Sequence, residues 1–258
     1  NQAVAAARLG GVVTFVGKIG DDIFGKLAVQ QLEDEGINVD FVSVDPENPS
    51  GVALITVDQK GENSIVVASG SNGTLNPDDF DKALTELDES EFVLMQLEIP
   101  IPTVEYIARI ALQKQKKVIL NPAPAAELSD ELLQKLYLIT PNETEAELLT
   151  GIKVTDEQSA LKAASALHEK GVEIVIITMG AAGAFLLANG ISELIKALKV
   201  EAVDSTAAGD TFNGALVVAL SNGRSIHDSI VFANKAAAIS VTRIGAQSSV
   251  PYGKEILD

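Results

Sequence analysis

The residues best suited to chemistry lie at positions 204–214, where small residues and an acid precede an apolar helix: Asp-Ser-Thr-Ala-Ala-Gly-Asp-Thr-Phe-Asn-Gly. Phe212 and the apolar residues after it recur at helical spacing. The helix is therefore predicted to begin near Ala207 and to pack one face into a core. Either Thr206 or Ser205 can serve as its N-cap.

This helix start has the composition of an anion site beside a base. Ala207, Ala208 and Gly209 have no bulky side chain, so free N–H groups of the first turn can approach an anion, and the helix dipole favours negative charge there. Asp210 stands in the same turn as a candidate proton acceptor. The dipole alone also favours an acid here, so the local pattern leaves both interpretations open.

The composition limits the class of protein. The chain has 258 residues, of which 47% are hydrophobic, and such a chain can bury roughly three-quarters of its unfolded surface. It has no apolar stretch of about 18 residues and no basic, apolar signal sequence, so we expect neither a membrane span nor an export signal. The absence of cysteine excludes disulfides and thiolate chemistry, and it agrees with a cytoplasmic protein.

The charge limits the partners. A formal net charge of −17 disfavours nucleic acid and anionic lipid. An anionic nucleotide must therefore be bound by locally arranged backbone amides and metal ions.

Short β-branched segments alternate with helical patterns, which is typical of βαβ units. The predicted strands are residues 12–19, 92–97, 117–121, 136–140, 174–178, 184–188 and 198–203. The predicted helices are residues 27–35, 102–115, 130–135, 143–150, 156–170, 207–221 and 225–241. We predict an α/β fold with three αβα layers and a mostly parallel, Rossmann-like sheet, in one domain over residues 1–258.

One segment departs from this alternation. Residues 52–57 and 64–68 flank a polar turn, which predicts a β-hairpin without a crossover helix. A hairpin inserted in an α/β domain is a candidate lid, so residues 51–69 are predicted to be a lid excursion. Its strand edges also favour association, which suggests a homodimer through the lid.

A second polar cluster follows the strand predicted at 136–140. Asn142 and Glu145 form a capping-box pattern ahead of apolar residues, and capping alone explains both side chains. They also lie outside the carboxyl end of a parallel strand, where open α/β sheets bind ligands. The two interpretations are compatible, because a capped helix start holds a carboxylate rigidly.

Two common nucleotide motifs are excluded. Residues 20–27 nearly match the P-loop pattern, but Leu27 stands where a Ser or Thr must ligate magnesium. No Gly-x-Gly-x-x-Gly follows a predicted strand, so the fingerprint of a nicotinamide dehydrogenase is missing.

Residues 204–214 resemble the signature of the ribokinase family of sugar kinases, also called the PfkB family, and the resemblance covers nearly the whole chain. It implies transfer of the γ-phosphoryl group of ATP to a primary hydroxyl of a pentose. The implied substrate is D-ribose, and the implied product is ribose 5-phosphate. Asp210 would be the catalytic base, and Ala207, Ala208 and Gly209 would form the anion hole.

The resemblance also implies ligand-binding residues. Asn1 and Glu98 would bind the sugar together with Asp210, and Glu145 would organise Mg²⁺ through water. The residues implied for nucleotide binding are Asn142, Thr178, Gly180, Gly183, Gly209 and Asn234. Asn234 replaces a His that the family often carries near the adenine.

Residues 243–251 resemble a family loop that surrounds a potassium ion with carbonyl and hydroxyl oxygens, which suit a hard cation. The implied ligands are Asp204, Thr206, Ser240, Arg243, Gly245 and Ser249. The implied cofactors are therefore ATP, Mg²⁺ and K⁺.

The resemblance begins inside a motif, because residues 1–7 resemble the family's Gly-Gly-Lys-Gly-Ala-Asn-Gln-Ala sequence from its Asn onward. A molecule that began at Asn1 would lack the first strand and two lid strands of its relatives. We expect such a molecule to fold and to phosphorylate ribose poorly. Two alternatives stay open: a kinase of the same family for a ketohexose or nucleoside, and a non-catalytic nucleotide- or sugar-binding protein.

Overall fold

The computed structural model describes residues 1–57, 63–188 and 190–256. The strands are β1 (Thr14–Gly20), β2 (Asn38–Asp45), β3 (Val52–Val57), β4 (Asn63–Ala68), β5 (Phe92–Met95), β6 (Lys117–Leu120), β7 (Leu138–Ile139), β8 (Ile174–Thr178), β9 (Ala184–Ala188) and β10 (Ile191–Ile195). The largest sheet has the order β10-β9-β8-β7-β6-β5. Strands β5 to β8 are parallel, whereas β9 is antiparallel to both neighbours, so the predicted mostly parallel sheet is confirmed.

Helices cover both faces of this sheet. They are α1 (Gln2–Arg8), α2 (Ile23–Asp34), α3 (Pro77–Asp81), α4 (Leu84–Glu89), α5 (Ile101–Gln113), α6 (Asp130–Leu133), α7 (Glu143–Thr150), α8 (Glu157–Glu169), α9 (Ala208–Ser221) and α10 (Ile226–Ser240). One hydrophobic cluster joins the sheet to α5–α8, and a second joins it to α1, α9 and α10.

The alternation of side chains along each strand builds these two clusters. Val118 and Leu120 of β6 pack in one cluster with Ile107 of α5, while Ile119 between them packs in the other with Phe212 of α9. Successive strand residues point to opposite faces, and full burial of each such side chain contributes about 1.5–3 kcal/mol. The predicted three-layer αβα fold is confirmed.

The strand predicted at residues 198–203 was wrong. Leu198, Val200 and Val203 are exposed and belong to no strand. Their alternation with charged residues imitates a half-buried strand. The position beside β9 is already taken by β10, which pairs Ile195 with Ala184.

Several elements near the N-terminal half were not predicted, namely α1, β2, α3 and α4. Helix α2 begins at Ile23 rather than at residue 27, because the Asp22 carboxylate caps it by accepting from the Gly25 N–H at 2.8 Å. Gly20 allows the Ser50 backbone to approach, since a Cβ on Gly20 would lie 2.4 Å from the Ser50 nitrogen. The stretch that resembles a P-loop is therefore explained by packing.

The hairpin forms as an antiparallel pair. Strands β3 and β4 pair Val52 with Ala68 and Val57 with Asn63, and within the described residues they pair only with each other. The predicted turn at 58–62 lies outside those residues. Strands β1 and β2 form a separate parallel pair. Among the helices of the described segments, none combines the length and the apolar character that crossing a membrane requires.

Candidate active site

Helix α9 begins without a side-chain cap. Its N-cap is Ala207, in a left-handed conformation with φ 59° and ψ 15°, so the prediction of Thr206 or Ser205 as N-cap was wrong. The left-handed turn moves the first helical residue to Ala208. Such a conformation costs a non-glycine residue roughly 1–2 kcal/mol, and strain of this kind is concentrated at functional sites.

The first turn of α9 presents backbone donors to open space. The Ala208 N–H donates to the Ser205 carbonyl at 3.2 Å, so it is partly used. The N–H groups of Gly209 and Asp210 have no acceptor within the described part of the chain. A Cβ built on Gly209 would meet no atom within 4 Å. The turn therefore offers two free donors, and little steric hindrance, to an anion.

Helix α1 lies against α9 at Gly214. A Cβ on Gly214 would lie 2.6 Å from the Ala5 Cβ and 2.7 Å from the Gln2 carbonyl oxygen. Only a residue without a side chain permits this separation of the two helices. The contact brings the first residues of α1 to the first turn of α9.

The Asp210 carboxylate receives two amide donors from this end of α1. Asn1 Nδ2 donates to Oδ2 at 2.9 Å, and Gln2 Nε2 donates to Oδ1 at 3.0 Å. The Asn1 side is exposed, whereas Gln2 is 5% exposed. One carboxylate oxygen thus faces the interior and the other faces the open side.

Gln2 is connected to two strand ends. Its Nε2 also donates to Asn121 Oδ1 at 3.0 Å, and its Oε1 accepts from Gln96 Nε2 at 2.7 Å. Asn121 follows β6 and Gln96 follows β5. The carboxyl ends of neighbouring parallel strands therefore hold the amide that contacts Asp210.

A second branch returns to α9. Asn121 Nδ2 donates to the Thr140 carbonyl at 3.1 Å, and Thr140 Oγ1 donates to Asn213 Oδ1 at 2.7 Å. Asn213 Nδ2 donates to the Gly209 carbonyl at 2.8 Å. Buried hydrogen bonds therefore tie the first turn of α9 to the ends of β6 and β7.

Four residues of this network were not predicted from the sequence to belong to the site: Gln2, Gln96, Thr140 and Asn213. A weak signal was available for two of them. Asn213 stands alone among apolar residues of α9, and Gln2 precedes an apolar Ala-Val-Ala-Ala-Ala run. A buried polar side chain in an apolar helix requires a partner, but the sequence does not identify it.

Glu98 lies beyond the end of β5, as predicted, and its side chain is exposed at the rim of the site. Desolvation of the carboxyl by its surroundings raises its pKa, and the negative charge of Asp210 raises it further. The two carboxylates are therefore close enough for the charge of one to affect the other.

Asn142 and Glu145 form the capping box that their spacing predicts. The Asn142 N–H donates to Glu145 Oε2 at 2.8 Å, and the Glu145 N–H donates to Asn142 Oδ1 at 2.9 Å. Asn142 Nδ2 also donates to Glu145 Oε1 at 2.9 Å. Burial raises the pKa of Glu145, the hydrogen bond from the Asn142 backbone lowers it, and the charge of Glu143 raises it.

The Asn142 and Thr178 stretches meet at the end of the sheet. The two residues form a parallel bridge, and the Thr178 N–H donates to the Pro141 carbonyl at 2.9 Å. Gly180 and Gly183 follow with φ 49° and 111°. Their backbone turns back so that the Met179 N–H donates to the Gly183 carbonyl at 2.8 Å.

Ile195 connects this turn to Asn234. A Cβ on Gly183 would lie 2.1 Å from the Ile195 carbonyl oxygen, so glycine is required there. The buried Asn234 donates from Nδ2 to the same carbonyl at 3.0 Å. Asn234 therefore supports the backbone beside the turn, and its amide oxygen and second N–H are left for other contacts.

The residues implied for a monovalent cation form two connected segments. Asp204 accepts from the Thr206 N–H at 2.9 Å through Oδ1 and from the Gly245 N–H at 2.9 Å through Oδ2. Hydrogen bonds from the Thr206 side chain, and then from the Gly245 and Thr206 backbone, hold the pKa of Asp204 below its ordinary value. This carboxylate therefore joins the segment before α9 to the loop after α10.

The other implied cation ligands flank this connection. The buried Ser240 donates to the Ala237 carbonyl at 2.9 Å, and the buried Ser249 donates to the Ala246 carbonyl at 2.7 Å. The Arg243 guanidinium contacts Glu255, which leaves the Arg243 carbonyl as its oxygen donor. Each hydroxyl retains lone pairs that can accept from, or coordinate, another group.

Fold and site together define an α/β protein in which the Asp210 carboxylate and the free N–H groups at the start of α9 lie beside the carboxyl ends of parallel strands. A family model described as pfkB family carbohydrate kinase matches residues 1–252. The chain therefore belongs to the pfkB family of carbohydrate kinases.

Individual relatives support the assignment. The chain is 50% identical to the ribokinase of Haemophilus influenzae over 258 residues, which are all of this chain and 84% of that protein. The structure of Arabidopsis thaliana ribokinase complexed with ribose and ATP has a TM-score of 0.93 at 33% identity, covering 99% of this chain and 84% of that one. Thermotoga maritima ribokinase has a TM-score of 0.90 at 39% identity, with coverages of 99% and 84%.

Proposed function

We propose that this protein phosphorylates a pentose with ATP, and that D-ribose is the substrate and ribose 5-phosphate the product. The observation that carries the proposal is the Asp210 carboxylate in the same helical turn as the free N–H groups of Gly209 and Asp210. The similarity to ribokinases, one of them complexed with ribose and ATP, supports the choice of substrate.

Asp210 is the proton acceptor in this proposal. The sugar hydroxyl oxygen forms a bond to the γ-phosphorus, the bond from that phosphorus to the bridging oxygen breaks, and the hydroxyl proton goes to the carboxylate. A loose phosphoryl-transfer transition state requires mainly positioning and stabilisation of charge on the phosphoryl oxygens. A carboxylate held beside the sugar hydroxyl provides the positioning.

The start of α9 provides the stabilisation of charge on the phosphoryl oxygens. The N–H groups of Gly209 and Asp210, with the positive end of the helix dipole, would stabilise the phosphoryl oxygens. Ala207 and Ala208 contribute mainly through shape, because Ala208 already donates to Ser205 and Ala207 makes the turn. The proposed anion hole therefore consists of the Gly209 and Asp210 N–H groups, with Ala207 and Ala208 shaping the turn.

The sugar would lie between Asp210, Asn1 and Glu98. Amide and carboxylate groups are suitable partners for sugar hydroxyls, because they offer donors and acceptors at one rim. The nucleotide would lie along the backbone at Asn142, Thr178, Gly180 and Gly183, where a Cβ on Gly180 would meet no atom within 4 Å. Asn234 would act by supporting that backbone.

Glu145 fits a water-mediated role toward Mg²⁺. It is a buried hard oxygen donor, and each of its oxygens keeps a lone pair beyond those used by Asn142. When bound, Mg²⁺ would neutralise charge on the phosphate oxygens.

The segments joined by Asp204 fit a monovalent cation. Carbonyl and hydroxyl oxygens of Thr206, Ser240, Arg243 and Ser249 are the donors that K⁺ accepts, beside a carboxylate that stays ionised. When bound, K⁺ would stabilise the loop that borders the anion site.

We also propose that the chain acts as one domain over residues 1–258, with residues 51–69 as a lid. Val52 and Val67 of the hairpin are exposed, and a two-stranded hairpin has edges free for pairing, which supports a homodimer through this lid. Size-exclusion chromatography with light scattering tests the dimer. We propose a cytoplasmic location, which the need for ATP supports, and cell fractionation tests it.

A sugar panel tests the proposed function. ADP release is measured with ribose, fructose and adenosine at equal concentrations and saturating MgATP. We expect ribose to give the highest kcat/KM. A preference for fructose or adenosine would point to another kinase of the family, and nucleotide binding without ADP release in any arm would point to a non-catalytic protein.

A further inference from the structure

We propose that Gln2 is the residue that positions Asp210, and that it makes Oδ2 the oxygen that receives the substrate proton. This inference rests on the proposed function and assigns a role to a side chain within it. It follows from the hydrogen bonds of Gln2 and from the way in which the neighbouring acceptors fix the orientation of its amide.

The orientation of each amide in this network is determined by groups that can only accept. The Thr140 carbonyl accepts from Asn121, so Asn121 Nδ2 must point to it and Asn121 Oδ1 must face Gln2. The Asp210 carboxylate also accepts. Gln2 Nε2 must therefore face both acceptors, and each takes one of its two hydrogens.

The other end of the Gln2 amide is also occupied. Its Oε1 accepts from Gln96 Nε2 at 2.7 Å. A flipped Gln2 amide would place Oε1 against Asn121 Oδ1 and Asp210 Oδ1. An acceptor would then face an acceptor at both contacts. Because the side chain is buried, this mismatch would not be relieved by bulk water. Gln2 therefore holds one orientation and one contact with Asp210.

This arrangement distinguishes the two oxygens of Asp210. Oδ1 is held at 3.0 Å by the buried Gln2, while Oδ2 is contacted at 2.9 Å by the exposed Asn1. Asn1 can exchange its contact for a ligand without leaving a buried group unpaired, and Gln2 cannot. Oδ2 therefore faces the sugar hydroxyl. It accepts the hydroxyl proton as the hydroxyl oxygen attacks the γ-phosphorus.

The experiment compares Gln2→Met and Gln2→Glu with the unchanged chain in the sugar-dependent ADP assay. Met keeps approximate volume and removes both donors, whereas Glu places an acceptor against Asp210. We expect kcat to fall about tenfold in Gln2→Met and about a hundredfold in Gln2→Glu, the scale of a misplaced reacting group. The Kd of ATP from calorimetry should stay within about twofold, because the free N–H groups of α9 are untouched.

Gln30→Met is the matched control. Gln30 Nε2 donates to Asp34 Oδ1 at 3.0 Å, the same contact and distance on the exposed surface of α2. This variant should keep the original kcat. If the Gln2 variants do not fold, Gln96→Met decides, with an expected fall of about threefold through loss of the partner of Gln2 Oε1.

The outcomes separate this inference from the function on which it rests. If the unchanged chain transfers phosphate to no sugar, the proposed function fails. If the unchanged chain is active and both Gln2 variants fold, retention of its kcat within about twofold by Gln2→Met and Gln2→Glu would show that the role of Gln2 is wrong. If the Gln2 variants do not fold, the same result for Gln96→Met would show it. A purely structural role would lower the unfolding temperature and leave kcat per folded molecule unchanged.

Discussion

Gly214 of α9 and Gln2 of α1 are in backbone contact, since a Cβ on Gly214 would lie 2.7 Å from the Gln2 carbonyl oxygen. The same Gln2 donates through its side chain to Asp210, four residues before Gly214 on α9. The separation of the two helices therefore determines the position of the amide that holds the proposed base.

Gly214→Ala is expected to damage both stability and activity. The added Cβ must push α1 away from α9, and such overpacking costs about 1–3 kcal/mol. It should also lower kcat by at least about tenfold by displacing Gln2 from Asp210. Urea unfolding and steady-state kinetics measure the two effects. Gly253→Ala, whose Cβ would have 3.7 Å to its nearest atom, should change neither, and equal behaviour of the two variants would contradict the packing argument.

Ala207→Gly is expected to stabilise the protein. The left-handed φ of 59° is unfavourable for Ala and free for Gly, so relief of about 1–2 kcal/mol exceeds the entropic cost of Gly, about 0.5–1 kcal/mol. The free energy of unfolding should rise by up to about 1 kcal/mol. Ala166→Gly within α8 should lower it by about 1 kcal/mol. Destabilisation by both substitutions would show that Ala207 is not strained.

The raised pKa of Glu145 predicts a pH-dependent stability. A carboxyl whose folded pKa lies above its ordinary value of 4.5 favours folding most below that value, and the contribution is lost as pH rises through the folded pKa. Glu145→Gln removes this titration, so the unchanged chain should lose free energy of unfolding relative to the variant as pH rises from below 4.5 through the folded pKa. Urea unfolding at several pH values measures the difference.

Glu255 offers the opposite sign as a control. Arg243 lowers its pKa below 4.5, so its contribution is present above that pH and is lost as pH falls. The unchanged chain should therefore gain stability relative to Glu255→Gln as pH rises. If the unchanged chain gained or lost free energy of unfolding in the same direction relative to Glu145→Gln and to Glu255→Gln, the causes assigned to the two pKa shifts would be wrong.

Replacement of K⁺ by Na⁺ at constant ionic strength is expected to slow the reaction or weaken ATP binding. The Asp204→Ala variant should lose this difference between the two salts, because it loses the contacts to Thr206 and Gly245. Steady-state kinetics and calorimetry in both salts test this. Identical kinetics of the unchanged chain in K⁺ and Na⁺ would contradict the proposed cation site.

The features that sequence could predict are local ones. The capping box of Asn142 and Glu145 depends on a spacing of three residues, and Asp210 stands in the first turn of a helix whose apolar periodicity is plain. The prediction of the N-cap was wrong because Ala, which stands at position 207, is not a residue type that favours a left-handed conformation. Local pattern decides which element forms, but not each backbone angle at its end.

Long-range contacts were the part that sequence could not supply. Gln2 and Asp210 are 208 residues apart, and the contact depends on the close approach of α1 at Gly214. The error at Leu198 has a related cause, because alternation alone does not decide which segment pairs with a sheet. Here residues 191–195 form β10 beside β9, and Leu198 belongs to no strand.

Proton acceptance by Asp210 during ATP-dependent phosphorylation of ribose can be tested by following the product itself. Formation of ribose 5-phosphate from ribose and MgATP is followed by phosphorus NMR for the unchanged chain and for Asp210→Asn, with ATP binding measured on both. The account predicts ribose 5-phosphate from the unchanged chain, and a rate lower by about 10² to 10⁴ in the variant with nearly equal ATP binding. No product from the unchanged chain, or more than about a tenth of its rate in the variant, would contradict it.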